Sequence, residues 1–467
     1  MMRAKGIRRL LKNAHLQRFP HPSSLQRIFK YASLLRVSGA LHLGILSSLE
    51  IKGFPAICCK ERRMEKLTHR EHDFGMKLRQ ESAIQRLREY VAWQRNLKAD
   101  PNQEPPPFGP LSVNLDLTMA CNFSCPHCVD SMILNHGKSL SLKTIQDTIE
   151  TLRSKGLLSI ILLGGGEPTL HKDFGEVVRL IKDRGLQLGI VTNGSKLERV
   201  VKVANLLQEK DWVRLSLDAA REETFQALHR PRTGVTLKKI LGQAKKLKEK
   251  NPPVSLGYSF VIVWEGIEIQ GKKLRPNMEE MAEAVRLAGE YSFDYISFKP
   301  CLVRLESSQR ESLLDQVDRE RERKIVEEIR THLEKARAVS GNRVKILESV
   351  NLKAMMDLET EAIKRQPPTC HMQFFRTVVS PSGIFHCPAF RGVEKAKIAD
   401  PDGYLGNARF GESLRNTASS IQLFDAEEEC KVVGCFYHDT NWWLEEFIQS
   451  NRDTESLLQV EDDNFFL

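Results

Sequence analysis

Residues 111–128 read "LSVNLDLTMACNFSCPHC", a short run of apolar and polar residues leading into Cys121, Cys125 and Cys128, three cysteines within eight residues. The run has the length and composition of a β-strand, so the cysteines stand in a loop just past its carboxyl end. The same unit recurs outward from it. A helical pattern with Leu142, Ile145, Ile149 and Leu152 on one face stops at Gly156 and is followed by "LLSIILL". Next come a helix from Asp173 to Gly185, "LQLGIVTNG", a helix from Lys196, "WVRLSLD", a helical stretch over 222–249 broken around "HRPRTG", "VSLGYSFVIV", a helix opening at Asn277, and "YISFKPC". Six β/α repeats predict an α/β fold: a parallel sheet with helices outside, a partial (β/α)6 TIM-like barrel rather than the full eight, with chemistry assembled at the carboxyl ends of the strands.

The flanks are different. Residues 76–98 carry Ile84, Leu87, Val91 and Leu97 near helical spacing, and "PNQEPPPFGP" (101–110) ends that helix, because proline fixes φ and removes donors. Residues 302–366 are charge-dense and mostly helical by pattern, a solvated connection with one short strand-like run, "RVKIL". Beyond 367, "FFRTVVSPSGIFHCP" reads as a hairpin turning at Pro381, Ser382 and Gly383, the start of a small C-terminal α+β domain over 367–467. The expected organisation is a basic leader (1–63), a helical segment and linker (64–110), the partial barrel (111–301), the charged connection and the C-terminal domain.

Cys-x3-Cys-x2-Cys brings three thiolates to one side of a short loop. Thiolates ligate iron–sulfur clusters, four to a 4Fe–4S unit, so three leave one iron open to another ligand. The competing reading is a zinc site completed by His127 or by a distant residue, in a zinc-stabilised binding protein. After the second strand stands "GGGEP" (164–168), whose glycines let the backbone approach a ligand closely and whose exposed N–H groups, with Glu167, suit an amino-acid headgroup. Taken alone it is an ordinary tight β-to-α turn.

Together, "CNFSCPHC" and "GGEP" at successive strand ends resemble the radical S-adenosylmethionine (radical SAM) superfamily, and the six repeats over about 111–301 are similar to its partial barrel. The resemblance implies that Cys121, Cys125 and Cys128 hold a 4Fe–4S cluster whose open iron takes the amino and carboxylate groups of SAM. The reduced cluster splits the sulfonium into methionine and a 5'-deoxyadenosyl radical, in a site that positions and shields it. It further implies that Gly165, Gly166, Glu167 and Pro168 receive the SAM amino group. Thr192 and Asn193 of "VTNG" and Ser216 and Asp218 of "LSLD" then supply ribose and carboxylate contacts, with Arg232 as a further carboxylate candidate. Each has an ordinary role too, as turn, satisfied hydroxyl or surface cation. The position before the third cysteine, commonly aromatic in the family, is His127, which can stack near the adenine or tune the cluster by hydrogen bonding.

Cys370, Cys387, Cys430 and Cys435 remain beyond the barrel. Four is the full complement for one 4Fe–4S cluster; a zinc knuckle is the alternative. With "YLGNARFGESL" (404–414) between them, they resemble the family's SPASM or Twitch tails, which implies one auxiliary cluster for electron transfer. Cys301 is an outside candidate, and Cys58 and Cys59 lie in the leader.

Of 70 Lys and Arg, nine fall in residues 1–49, which hold no Asp or Glu, so the rest of the chain is nearly neutral against 60 acidic residues. A neutral body offers little purchase on a phosphate backbone, and nucleic acid is not an expected partner. The leader resembles an organellar transit peptide in composition, but a loosely ordered leader or an upstream start, with Met64 as the working one, is the plainer reading. Its apolar run "VSGALHLGILSSL" is too short to span a bilayer. Ten cysteines without a secretory signal point to a reducing, cytoplasmic setting.

The expected partners are an external electron donor of flavodoxin or ferredoxin type and a small polar substrate, sugar- or aminocyclitol-like. Peptide modification is the alternative, since the segment before the linker is too short for a winged-helix peptide grip. Tyr258, Lys299, Arg304, His438 and Asp439 are the substrate-side candidates, each with a commoner surface role.

Overall fold

The computed structural model describes residues 73–232, 234–305, 311–313, 318–341, 343–450 and 452–462. The leader, with Cys58, Cys59 and Met64, lies outside these residues. Residues 69–467 form one compact unit.

The helix expected over 76–98 is two helices, α1 (Phe74–Leu78) and α2 (Ile84–Asn96). The break falls where Gln80 makes a β-bridge to Val460, which takes the backbone out of the helical path. Phe74, Tyr90 and Trp93 then pack with Phe374, Phe375 and Leu444 in one apolar cluster, so these helices rest on the C-terminal part of the chain.

All six expected strands form: β1 (Ser112–Asp116), β2 (Ser159–Leu163), β3 (Gln187–Thr192), β4 (Trp212–Ser216), β5 (Ser255–Ile262) and β6 (Tyr295–Pro300). Each pairs in parallel with the next. The "RVKIL" run becomes β7 (Lys345–Glu348), parallel to β6. At the opposite edge β8 (Arg376–Ser380), the first strand of the expected hairpin, runs parallel to β1, and β9 (Gly383–Phe385) and β10 (Lys397–Ala399) follow antiparallel. The sheet order is β7-β6-β5-β4-β3-β2-β1-β8-β9-β10. The C-terminal hairpin therefore extends the main sheet.

The connecting helices cover one face. In α3 (Leu142–Ser154), capped by the Ser141 hydroxyl accepting from Thr144 N–H, Ile145, Ile149 and Leu152 are buried. In the charged connection the long helix Arg319–Ser340 buries only the stripe Ile325, Val326, Ile329, Leu333 and Ala336, as a solvated face requires. Residues on the helix-covered face of the strands, such as Val113, Ile160, Leu188, Val213, Leu256 and Phe298, make one apolar core. Alternation sends their neighbours to the opposite face, and there stand Asn114, Asp116, Arg214, Ser216, Ser259 and Lys299. Among the described residues no helix is long and apolar enough to cross a membrane.

Candidate iron–sulfur site and its surroundings

The three-cysteine loop is fastened from four sides. Asn135 Oδ1 accepts from Cys121 N–H at 2.9 Å. The Asn122 side chain receives Asn193 Nδ2 and Ser195 Oγ, both at 3.1 Å. Phe123 makes a β-bridge to Pro231 and stacks edge-on against Phe225. Ser124 N–H donates to the carbonyl of His229 at 3.1 Å, and His229 Nδ1 lies 3.3 Å from Cys125 Sγ. The "HRPRTG" break thus runs beside the loop. His229 has no local signature in sequence, because its contact with Cys125 spans 104 residues.

Gly166 explains the "GGGEP" turn. A Cβ there would meet Ala120 O at 2.4 Å and Thr118 O at 2.6 Å. The close approach the glycine permits is to the chain's own backbone at the root of the cysteine loop, and Glu167 N–H donates to Ala120 O at 2.8 Å next to it. Gly165 faces Ile133, and Pro168 opens a buried 3-10 turn. Glu167 itself is buried: Oε1 accepts from Thr169 N–H (3.0 Å), Thr169 Oγ1 (2.5 Å) and Thr192 Oγ1 (2.6 Å), and Oε2 from Asn193 N–H (2.7 Å). Burial nevertheless raises its pKa above the usual value. Glu167, Thr192 and Asn193 are therefore one unit, tying the ends of β2 and β3 to the loop.

A second unit gathers at the end of β4. Asp218, in a left-handed conformation (φ 50°), sits 3.1 Å from His127 Nε2 and 3.4 Å from His229 Nε2, and its Oδ1 accepts from Val261 N–H at 2.8 Å. Burial would raise its pKa, but the His127 hydrogen bond, with the two neighbouring imidazoles, outweighs it and leaves it lowered. Burial holds His229 down to about 4, neutral at ordinary pH. Of the other candidates, Ser216 keeps partial exposure at the last inward position of β4, and Arg232 is exposed. Tyr258 is in the helix-side core, its hydroxyl donating to Ala219 O. Lys299 is on the inner face, and Arg304 lines a cleft with His127, Cys128 and Met132. His438 and Asp439 pair with each other at 2.9 Å at the start of an exposed turn of helix.

Burial raises all three thiols, Cys125 well above its usual value and Cys128 to about 12; the other two thiolates add to it at Cys125, and Asp130 and then Cys121 add to it at Cys128. Half-buried sulfurs of one loop that resist ionising suit a bound cation, which makes thiolates tolerable together. Among the described residues no three His, Cys, Asp or Glu side chains stand close enough to share one ion. A 4Fe–4S cluster does not require that, since each thiolate takes a different iron.

The C-terminal cysteines meet in the same way. Burial raises Cys370, Cys387 and Cys435, Cys387 to about 12; the charge of Cys370 adds to it at Cys387, and Cys370 and Cys387 add to it at Cys435. Buried Cys430 lies in the apolar cluster against which Cys370 and Cys387 pack. Backbone N–H groups of Ala389 and Phe390 point at Cys387, and Asn441 Nδ2 lies 3.8 Å from Cys370 Sγ. Cys301 is apart, in the helix-side core.

The structure thus combines a parallel α/β sheet with a three-cysteine loop past the end of its first strand. Residues 115–270 match the family model "Radical SAM superfamily". The chain is 35% identical over 117 residues to the S-adenosylmethionine-dependent nucleotide dehydratase of Selenomonas ruminantium, covering 25% of this chain and 42% of the relative. It is 32% identical over 121 residues to mycofactocin maturase MftC of Mycolicibacterium smegmatis (26% and 30%). With the probable GTP 3',8-cyclase of Pyrococcus horikoshii it shares 27% over 183 residues (38% and 52%). It thus spans about half or less of these relatives, all of them named as enzymes. Among solved structures, Streptococcus suis SuiB bound to S-adenosylmethionine shares the fold, with TM-score 0.51, 17% identity and 82% coverage of each chain.

Proposed function

We propose that this protein reductively cleaves SAM at a 4Fe–4S cluster held by Cys121, Cys125 and Cys128 and takes a hydrogen atom from a small polar substrate inside the sheet. A second 4Fe–4S cluster, on Cys370, Cys387, Cys430 and Cys435, exchanges an electron with the substrate. The observation that carries this reading is the set of three half-buried thiols in one loop past the end of β1, one short of a closed cluster site. When bound, the cluster and SAM supply the radical; the chain supplies the rest. Gly165, Gly166 and Pro168 wall the SAM side of the loop. Glu167, Thr192 and Asn193 fix that wall to β3, and Ser216 borders the interior. Asp218 orients His127 beside the third cysteine. We read β1–β6 as a partial (β/α)6 barrel with a C-terminal cluster domain of SPASM or Twitch type over 367–467. The electron donor is of flavodoxin or ferredoxin class, and the setting is the cytoplasm, where thiols stay reduced.

The test is anaerobic reconstitution. Roughly eight irons per chain are expected, with 5'-deoxyadenosine formed from SAM under reduction and none formed by Cys125→Ala. Zinc alone in oxygen-free protein would refute the reading. The 32% identity to a mycofactocin maturase over 121 residues favours a second reading, a peptide-modifying maturase, and deuterium transfer from labelled peptide into 5'-deoxyadenosine would establish it.

A further inference from the structure

The inner face of the sheet carries side chains to which the function above gives no role. Its floor, near the start of the strands, is aromatic. Trp212 lies across Gly189, where a Cβ would come within 2.1 Å of the indole, and Tyr295 lies across Gly257, again within 2.1 Å. Neither ring could lie there if the neighbouring strand carried a side chain. Arg214 stands above this floor: its guanidinium carbon is 5.2 Å from the centroid of the Trp212 ring, and in register it pairs with Gly257, which pairs with Tyr295. Lys299 follows further along β6, opposite Val261.

Among the described residues neither Arg214 nor Lys299 forms an ion pair, and Arg214 Nε is buried without a hydrogen-bond partner. Tyr295, facing Arg214, is held protonated by burial. Asp218, the carboxylate nearest in effect to Lys299, is already engaged by His127, His229 and Val261 N–H. Burial lowers Arg214 below its usual range and, with the repulsion of Arg214, takes Lys299 to about 7, as expected of cations that no carboxylate pairs. Both nevertheless keep partial solvent contact, so they border space rather than packed core. A buried cation without a partner is costly, and an anion that enters from solvent removes the cost.

We infer that Arg214 and Lys299 form an anion subsite above the Trp212–Tyr295 floor, which takes the phosphate or carboxylate group of a small substrate and directs its carbon skeleton toward the cysteine loop. This rests on the proposed function, because the subsite acts on a substrate only if the radical forms at that loop. The carboxylate of SAM offers the same chemistry, and the test separates the two sources.

Reconstituted full-length protein is titrated calorimetrically with inorganic pyrophosphate, with succinate and with SAM. At least one of the two anions binds the unaltered protein. Its Kd rises about tenfold or more in Arg214→Gln and in Lys299→Gln, as loss of a charged hydrogen bond predicts, and Lys299→Arg retains binding. SAM affinity holds in the same variants, which also shows them folded. The inference is overturned if neither anion binds, if both glutamine variants bind as the parent does, or if SAM affinity falls in step, which would give the cations to the cofactor's carboxylate. Formation of 5'-deoxyadenosine by the parent protein reports separately: its absence defeats the proposed function while the anion titrations still read the subsite.

Discussion

Arg391 Nη1 stands 3.1 Å and 3.0 Å from the two carboxylate oxygens of Asp130. Its Nε forms an ion pair with Asp116 Oδ2 at 2.8 Å. Asp130 follows Cys128 by two residues and Arg391 follows Cys387 by four. One buried guanidinium therefore joins the segment of the second cysteine set to the loop of the first and to the end of β1. Arg304 continues the chain of charges, 3.7 Å from Asp130 and 3.9 Å from Glu311.

Removing that guanidinium leaves two carboxylates facing each other in the interior. Arg391→Met should lower stability by about 3–5 kcal/mol, measured by urea denaturation. Arg391→Lys should recover only part of it, since an ammonium lacks the fork that reaches both acids.

Gly166→Ala drives a methyl group into Ala120 O and Thr118 O, backbone atoms that cannot swing aside. A loss of roughly 1–3 kcal/mol or more is expected, together with reduced iron loading of the loop. Gly242→Ala is the control: nothing lies within 4 Å of its Cβ, in the helix Leu237–Lys250. It should gain roughly 0.5–1 kcal/mol. Equal losses in both would show that the close approach at Gly166 is not what matters.

His229, lowered by burial to about 4 in the fold, titrates near 6.5 when unfolded. Between those values the unfolded chain binds the extra proton, so stability rises with pH there. In cluster-free protein about 3 kcal/mol should be lost as pH falls from about 6.5 to about 4. His386, lowered to about 3, adds a parallel slope. His229→Gln should accordingly flatten the curve in part, and an unchanged slope would contradict the buried, neutral ring.

Cys387→Ser should take iron from roughly eight atoms per chain to roughly four, with electron paramagnetic resonance of the reduced protein retaining one cluster's signal. Full iron content in this variant would remove Cys387 from the second site.

The strand–helix alternation from 111 to 301 was readable because its signals are local, apolar period with Gly and Pro punctuation, and the loop at 121–128 stood out by its short cysteine spacing. The parallel pairing of β8 with β1 was not, since nothing within "RTVVS" names its partner, and a hairpin at 376–385 was as far as the pattern reached. His229, Asp130 and Arg391 escaped notice for the same reason, as each matters only through a residue far off in sequence. The inner face was legible in principle. A parallel sheet covered on both sides reads as continuous hydrophobic strands, whereas "SVNLD", "WVRLS" and "YISFKP" alternate with polar residues, the mark of a wet interior. Glu167 was assigned to the cofactor side by its motif, and the structure adds that its oxygens are occupied by Thr169, Thr192 and Asn193.

The edge of β1 is completed by residues synthesised about 260 positions later. Until Arg376–Ser380 leaves the ribosome, the strand that presents the three cysteines has an open flank, and Asp116 and Asp130 await their arginine. A cluster loaded onto a nascent chain would therefore meet a pocket whose edge strand and arginine are still missing.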